Sequence, residues 1–215
     1  MPFTCAIVED QIMFRSMLKK LLVERCGAQI ALELATLAEL RAAAPALGQL
    51  DLLLLDIRLP DGDALDFIPE MNALRIATPV LLLSSSGEDF IIHRVSRSLV
   101  QGYLHKDDDP DLLVAAVQAI TAGGSFFSPR FVERQRALAR ADGFDKLLSD
   151  REQALLKLLG SGFSDPEVAS QLGVTPATVH SHRRNIMAKL DLHTAQELQA
   201  YALRHGFTTV RGLRP

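Results

Sequence analysis

A chain of 215 residues with 48% apolar and 23% charged side chains has the make-up of one or two folded globular domains, not of a disordered or fibrous chain. No apolar run approaches the roughly 20 residues needed to cross a bilayer, and the N-terminus MPFTCAIVED has neither a basic leader nor a long apolar core, so a cytoplasmic protein is expected. A net charge of −3 does not itself point to nucleic acid, and two cysteines, Cys5 and Cys26, are too few for a disulfide framework and read as reduced thiols.

In chain order, the strand candidates are TCAIVE (4–9), QIALEL (29–34), LLLL (52–55), PVLLLS (79–84) and GYLH (102–105). The uninterrupted apolar run of the third fits a parallel strand covered on both faces. Helical patterns over 11–26, 37–44, 64–74 and 88–99 separate the strands, and a last one runs from about Pro110 to Ala122. The first is amphipathic, with Phe14, Met17, Leu18, Leu21 and Leu22 on one face. Asp109, Pro110 and Gly123 suit the cap, first turn and end of the last. Five strand–helix repeats predict an α/β doubly wound five-stranded parallel sheet over residues 1–122.

Residues 123–147 break that rhythm and read as a linker with room for one helix. Residues 148–215 then hold four helical patterns and no convincing strand, an all-α unit. Three patterns open with a hydroxyl residue followed three positions later by glutamate: Ser149/Glu152, Ser164/Glu167 and Thr194/Glu197. The fourth opens Thr175-Pro176, a cap followed by proline in the first turn. From Lys146 onward there are 9 basic and 6 acidic residues (9 − 6 = +3), and before it 14 and 20 (14 − 20 = −6). An acidic body attached to a mildly basic tail is a recognisable asymmetry.

In a doubly wound sheet, ligands bind at the carboxyl ends of the strands, beside the switch in strand order. Here Glu9 and Asp10 follow the first strand and Asp56 the third, Ser84 ends the fourth, and the fifth leads to Lys106. Each alone is ordinary: an acidic residue after a strand is usually a solvated turn or cap, and a lone lysine usually lies at the surface. Their convergence is not ordinary. Like charges at close range need a cation or a proton between them, and Mg2+ suits such oxygen ligands. A carboxylate that attacks phosphorus yields an acyl phosphate, whose oxygens Lys106 and Ser84 could hold.

VEDQIMFR, LLLLDIRLPDGDAL, PVLLLSSS and GYLHKDDDP resemble the signature segments of response-regulator receiver domains, in the right order over about the first 120 residues. The resemblance implies a flavodoxin-like receiver fold and a cytoplasmic two-component regulator phosphorylated by a partner sensor histidine kinase. In it, Asp56 would be the phosphoacceptor, and Mg2+ would be bound by Glu9, Asp10, Asp56 and the backbone carbonyl of Arg58. Ser84 would be the switch hydroxyl, Tyr103 the switch aromatic and Lys106 the lysine that pairs with the phosphoryl group. Three positions depart from the pattern: Gln11 replaces a frequent histidine, Ala64 a usual glycine, and Ser98-Leu99-Val100 a small-residue stretch that adjoins a common signalling surface.

The helices expected at 165–172 and 176–190 are joined by Gly173-Val174-Thr175, a spacing consistent with a helix-turn-helix. Val168, Ala169 and Leu172 are expected to face the core from the first, and Val179, Ile186 and Leu190 from the second. Ala177, Thr178, His180, Ser181, Arg183 and Arg184 are then left largely outward. Outward arginines are usually just solvated, but on a capped helix they suit a major groove. LSDREQALLKLLGSGFSDPEVASQLGVTPATVHSHRRNIMAKLDLHT resembles the LuxR-type helix-turn-helix, and the whole chain resembles NarL/FixJ-type regulators. Thr178 falls on the pattern of that family. The resemblance places His180, Ser181 and Arg184 at base-reading positions and makes His182, Arg183 and Lys189 candidates for the DNA backbone. Pro166 stands in place of a frequent lysine. His180 and His182, two apart on a helix, do not face one another as metal ligands would.

Sequence-specific DNA binding and transcription controlled by phosphorylation, and a homodimer when phosphorylated, follow as expectations. The stripe Leu198, Tyr201, Ala202 and His205 reads either as core or as dimer contact. Two other classes share parts of this pattern. A phosphohydrolase with an aspartyl-phosphate intermediate usually needs a second aspartate where Arg58 stands, so no enzyme is expected. A regulator driven by protein or ligand contacts without phosphorylation would not need the acidic cluster.

Overall fold

The computed structural model describes residues 3–85, 87–140 and 147–208. The end of the expected linker, 141–146, and the tail, 209–215, lie outside the described residues. The chain divides into two compact units, residues 1–87 with 94–133, and residues 88–93 with 134–215.

The first unit is built on strands β1 (Phe3–Val8), β2 (Ala28–Leu34), β3 (Leu52–Asp56), β6 (Val80–Ser84), β7 (Gly102–His105) and β8 (Phe126–Phe127). They form one sheet in the order β2-β1-β3-β6-β7-β8, and every pairing in it is parallel. Two short strands, β4 (Arg58–Leu59) and β5 (Gly62–Asp63), form a separate antiparallel pair. Cys5–Val8, Leu52–Leu55 and Leu81–Leu83 are buried, as central strands covered on both faces must be. Edge strand β2 alternates exposed Gln29, Ala31 and Glu33 with partly covered Ile30, Leu32 and Leu34. Burial pushes the Cys5 thiol up to about 12, and both cysteines are free.

The sheet has six strands where five were expected. Phe126-Phe127 lies in the stretch read as linker and continues the sheet beyond β7, with the Phe126 amide donating to Gln101 O at 2.8 Å. Two residues are too few to show any periodicity. A helix, Pro129–Arg140, follows it.

Helices of this unit are α1 (Ile12–Cys26), α2 (Leu37–Ala42), α3 (Ala44–Leu47), α4 (Ile68–Ala73), α5 (Asp89–Ser96, shared between the units) and α6 (Pro110–Thr121); α7 is Pro129–Arg140. Two expected helices are broken where proline intervenes. Pro45 starts α3 afresh after α2, and a 3-10 turn at Ala64–Asp66 precedes α4, which has Pro69 in its first turn. The Asp63 carboxylate caps that 3-10 turn by accepting from the Leu65 amide at 2.9 Å.

The second unit contains α8 (Asp150–Gly160), α9 (Asp165–Leu172), α10 (Pro176–Lys189) and α11 (Ala195–Arg204). Leu155, Leu156, Leu159, Val168, Ala169, Val179, Ile186, Leu198 and Ala202 form its core. Gly173 ends α9 with φ 64°, a left-handed turn that lets α10 start three residues later. Leu172, expected in the core, is instead 41% exposed, because α9 stops there and only its Val168-Ala169 side reaches the other helices. Of the α11 stripe, Leu198 and Ala202 are core, while Tyr201 and His205 are half-buried with rings 4.2 Å apart. The Ser149/Glu152 box is complete. At Thr194, the hydroxyl accepts from the Glu197 amide, but the Glu197 carboxylate takes the His193 amide. Among the described residues no helix is long and apolar enough to cross a membrane.

Candidate functional site

The strand order turns between β1 and β3: β1 has β2 on one side and β3 on the other, and the connections leave in opposite directions from that point. A parallel sheet delivers the C-terminal ends of its strands to one edge, so the last residue of β3 and those just after β1 and β7 meet there. Lys106 Nζ lies 2.7 Å from Glu9 Oε2 and 2.9 Å from Asp56 Oδ2. Glu9 is fully buried, Asp56 is 2% exposed, and Asp10 sits more openly beside them. One carboxylate oxygen from each of Glu9, Asp10 and Asp56 falls within a 4.8 Å cluster.

Burial pushes Asp56 up to about 6, and the neighbouring Glu9 adds to the rise; Lys106 and the Arg58 amide pull the other way. Burial works against the charge of Lys106, but Asp56 and Glu9 outweigh it and its ammonium is raised. One lysine therefore serves two buried carboxylates with a third nearby. This surplus of negative oxygen, open on the Asp10 side, fits a hard divalent cation that retains some of its waters.

The other expected residues are placed around this cluster. The Arg58 amide donates to Asp56 Oδ1 at 3.2 Å, which holds the backbone after β3 against the carboxylate. Ser84 is buried at the end of β6, next to the strand carrying Asp56, and its carbonyl accepts from the Lys106 amide at 2.8 Å. Tyr103 is 1% exposed, with its ring 4.9 Å from that of Phe131. The sequence did not point to two supports on α1. Phe14 places its ring 4.8 Å from Lys106 Nζ, and Arg15 Nη1 donates to the Glu9 carbonyl at 2.5 Å. Their spacing after Glu9, one helical turn and more, is the signal that could have shown them. Arg94 of α5 donates to Asp63 and, at 2.6 Å, to Asp66, in the segment that follows the strand carrying Asp56.

In the second unit, the Thr175 hydroxyl accepts from the Thr178 amide at 3.2 Å and starts α10. Val179 and Ile186 turn inward, which leaves His180, Ser181, Arg184, Asn185 and Lys189 exposed and Thr178, His182 and Arg183 half-buried. Three of the expected contact residues, Lys189, Arg183 and His180, have an acidic partner within the protein. Lys189 Nζ is 2.8 Å from both carboxylate oxygens of Glu152, and Arg183 Nη2 is 2.5 Å from Asp165 Oδ1.

Residues 5–118 match the model of the response regulator receiver domain, and residues 146–202 match that of the bacterial regulatory proteins of the luxR family. The chain is 35% identical over 158 residues to the Fimbriae Z protein of Salmonella typhimurium, covering 72% of this chain and 75% of that one. It is 29% identical over 195 residues to the transcriptional regulatory protein UhpA of Escherichia coli, covering 91% and 95%. Its fold resembles that of RcsB from Salmonella enterica serovar Typhimurium, solved on the rprA promoter with the phosphomimetic BeF3−. The TM-score is 0.72 at 20% identity, over 94% of this chain and 98% of that one.

Proposed function

We propose that this chain, which belongs to the response regulators that join a receiver domain to a LuxR-type DNA-binding domain, is phosphorylated on Asp56 by a partner histidine kinase and thereby controls sequence-specific DNA binding and transcription. The observation that carries this is the convergence of Glu9, Asp10, Asp56 and Lys106 at the switch in strand order. Residues 1–122, with the added strand Phe126–Phe127, make up the receiver, the rest of 123–147 the linker and 148–215 the DNA-binding domain.

The chemistry follows from the charges. A carboxylate oxygen of Asp56 attacks phosphorus, the bond from phosphorus to the donor's histidine nitrogen breaks, and that imidazole leaves with the electron pair and takes up a proton. Asp56 must be ionised to attack, and with a pKa near 6 it is so at neutral pH. Mg2+ held by Glu9, Asp10, Asp56 and the Arg58 carbonyl would screen the phosphoryl oxygens from the carboxylates. Lys106, now shared by Glu9 and Asp56, is placed to pair with the new phosphoryl charge. Ser84 and Tyr103, on adjoining strands, would carry the change onward.

On DNA, α10 would enter the major groove, with His180, Ser181 and Arg184 toward base edges and Thr178, His182, Arg183 and Lys189 toward the backbone. A symmetric dimer reading two half-sites would multiply affinity, and phosphorylation is expected to favour it. The test is acetyl phosphate with Mg2+, read by intact mass, followed by genome-wide binding of wild type and Asp56→Asn. One added phosphoryl mass, absent from the variant, and a changed binding map are expected. Equal labelling of the variant would remove Asp56 from the role. An unchanged map would mean control without phosphorylation.

A further inference from the structure

Asp165 is the first residue of α9, and its carboxylate reaches across the turn to α10. One oxygen lies 2.5 Å from Arg183 Nη2 and the other 3.4 Å from His180 Nδ1. The side chains of Asp165 and Arg183 are only 21% and 24% exposed, whereas those of the surface pair Lys19–Glu33 are 36% exposed or more. The amides of the first turn of α9 favour the negative charge further.

The start of α9 is also unlike a phosphate site. Asp165 and Glu167 both lie in the first turn and Pro166 brings no amide hydrogen. The Glu167 carboxylate is already occupied by the Ser164 amide and hydroxyl at 2.7 and 2.6 Å. In a helix-turn-helix the first helix crosses the nucleic-acid backbone, and a bare helix N-terminus would attract phosphate there. Here that place carries two carboxylates, one of them closed onto a cation of the reading helix.

We infer that Asp165 is a positioning residue that acts through Arg183: it keeps this guanidinium within the protein and withholds a phosphate contact from every DNA sequence alike. The inference rests on the DNA-binding reading above and alters it at one residue, since Arg183 leaves the set of backbone contacts. The sequence-independent share of affinity falls, while Ser181 and Arg184, which do not touch Asp165, keep their access to base edges. Because specific and random DNA lose the contact alike, their ratio of affinities is unchanged, and what falls is the absolute affinity and its dependence on salt.

The test needs no known operator. The full chain is titrated onto a random-sequence duplex by fluorescence anisotropy, across a salt series from about 50 to 200 mM, where each phosphate contact changes affinity about threefold. Asp165→Ala is expected to bind about three- to tenfold more tightly at the low end, with a log–log salt slope steeper by about one contact. Asp191→Asn makes the same change in charge at a side chain that is 97% exposed, and its slope should equal that of wild type. Arg183→Ala combined with Asp165→Ala should lose the extra steepness, because the released contact belongs to Arg183. If Asp165→Ala lowers the melting temperature, Asp165→Ser takes its place with the same expectation. A slope unchanged from wild type, or extra steepness that survives without Arg183, overturns the inference. Should wild type bind no duplex at the lowest salt, the DNA-binding reading falls and this falls with it. If wild type binds and Asp165→Ala behaves as Asp191→Asn does, only the role of Asp165 falls.

Discussion

Replacing Asp56 by asparagine should make the metal-free protein more stable, although it removes one partner of a buried ion pair. The carboxyl of Asp56 is driven from 3.8 to about 6, chiefly by burial, in spite of Lys106 2.9 Å away. An acid whose folded pKa is raised contributes stability that is full below its unfolded value and is lost as pH rises through the folded one. Above pH 6 the ionised group is therefore a net cost, and a rise from 3.8 to about 6 corresponds to about 3 kcal/mol. The ion pair with Lys106 is already included in that net figure. Asp56→Asn should gain up to about 3 kcal/mol near pH 7.5 in chelator and less than about 1 kcal/mol near pH 4. Urea unfolding at both pH values, with amide exchange in β1 and β3 reporting on the first unit, measures this. Added Mg2+ should stabilise wild type selectively, by about 2.7 kcal/mol at a hundred times its dissociation constant. A variant less stable than wild type at the higher pH would refute the reasoning, for it would mean that the Lys106 pairing exceeds the cost of burial.

A Cβ on Gly160 of α8 would stand 2.3 Å from the Cβ of Ala202 on α11, so Gly160→Ala should destabilise the second unit by about 1–3 kcal/mol despite the better helix propensity of alanine, read as a lower melting temperature with unchanged exchange in β1. Glu152→Ala removes acceptors for the Ser149 amide and hydroxyl and for Lys189, and should cost about 1–2 kcal/mol by urea unfolding. Burial works against the charge of Glu152, but the hydrogen bonds from Lys189 and Ser149 outweigh it and lower its pKa. The stability it contributes should thus be present above its ordinary value of 4.5 and fade as pH falls through the lowered one, which a pH series comparing wild type with Glu152→Ala would show. Arg184→Ala should lose roughly 1–3 kcal/mol on a specific site and narrow its advantage over random DNA in anisotropy titrations; equal losses on both DNAs would move Arg184 to the phosphates.

Much of the first unit was legible because its signals are local. The run Leu52–Leu55 is buried on every side chain, as an unbroken apolar strand should be. Helix α6 begins at Pro110 behind its Asp109 cap, where the residue types indicate. The failures were also local in cause. Pro69 falls inside the pattern over 64–74 that periodicity alone joins, Pro45 lies just past the one over 37–44, and β8 is too short to have a period. Leu172 has an apolar residue's place in the pattern but no helix opposite it.

The two sites differ in how far a sequence can describe them. Parallel pairing sends the end of each strand to one edge, so the residue that ends β3 and those that follow β1 and β7 already say which groups meet; no side-chain geometry is needed to bring Glu9, Asp56 and Lys106 together. A helix face gives only which residues look outward. Whether an outward cation is available then depends on what the neighbouring helix brings, and that is set by how the helices cross. Lys189 meets Glu152 from 37 positions away, and Arg183 meets Asp165 through a turn whose left-handed Gly173 fixes the angle. The same sequence pattern with a neutral residue at position 165 would present a different charge to DNA. The reading helix is therefore properly described together with the first turn of α9, and not by its own exposed residues alone.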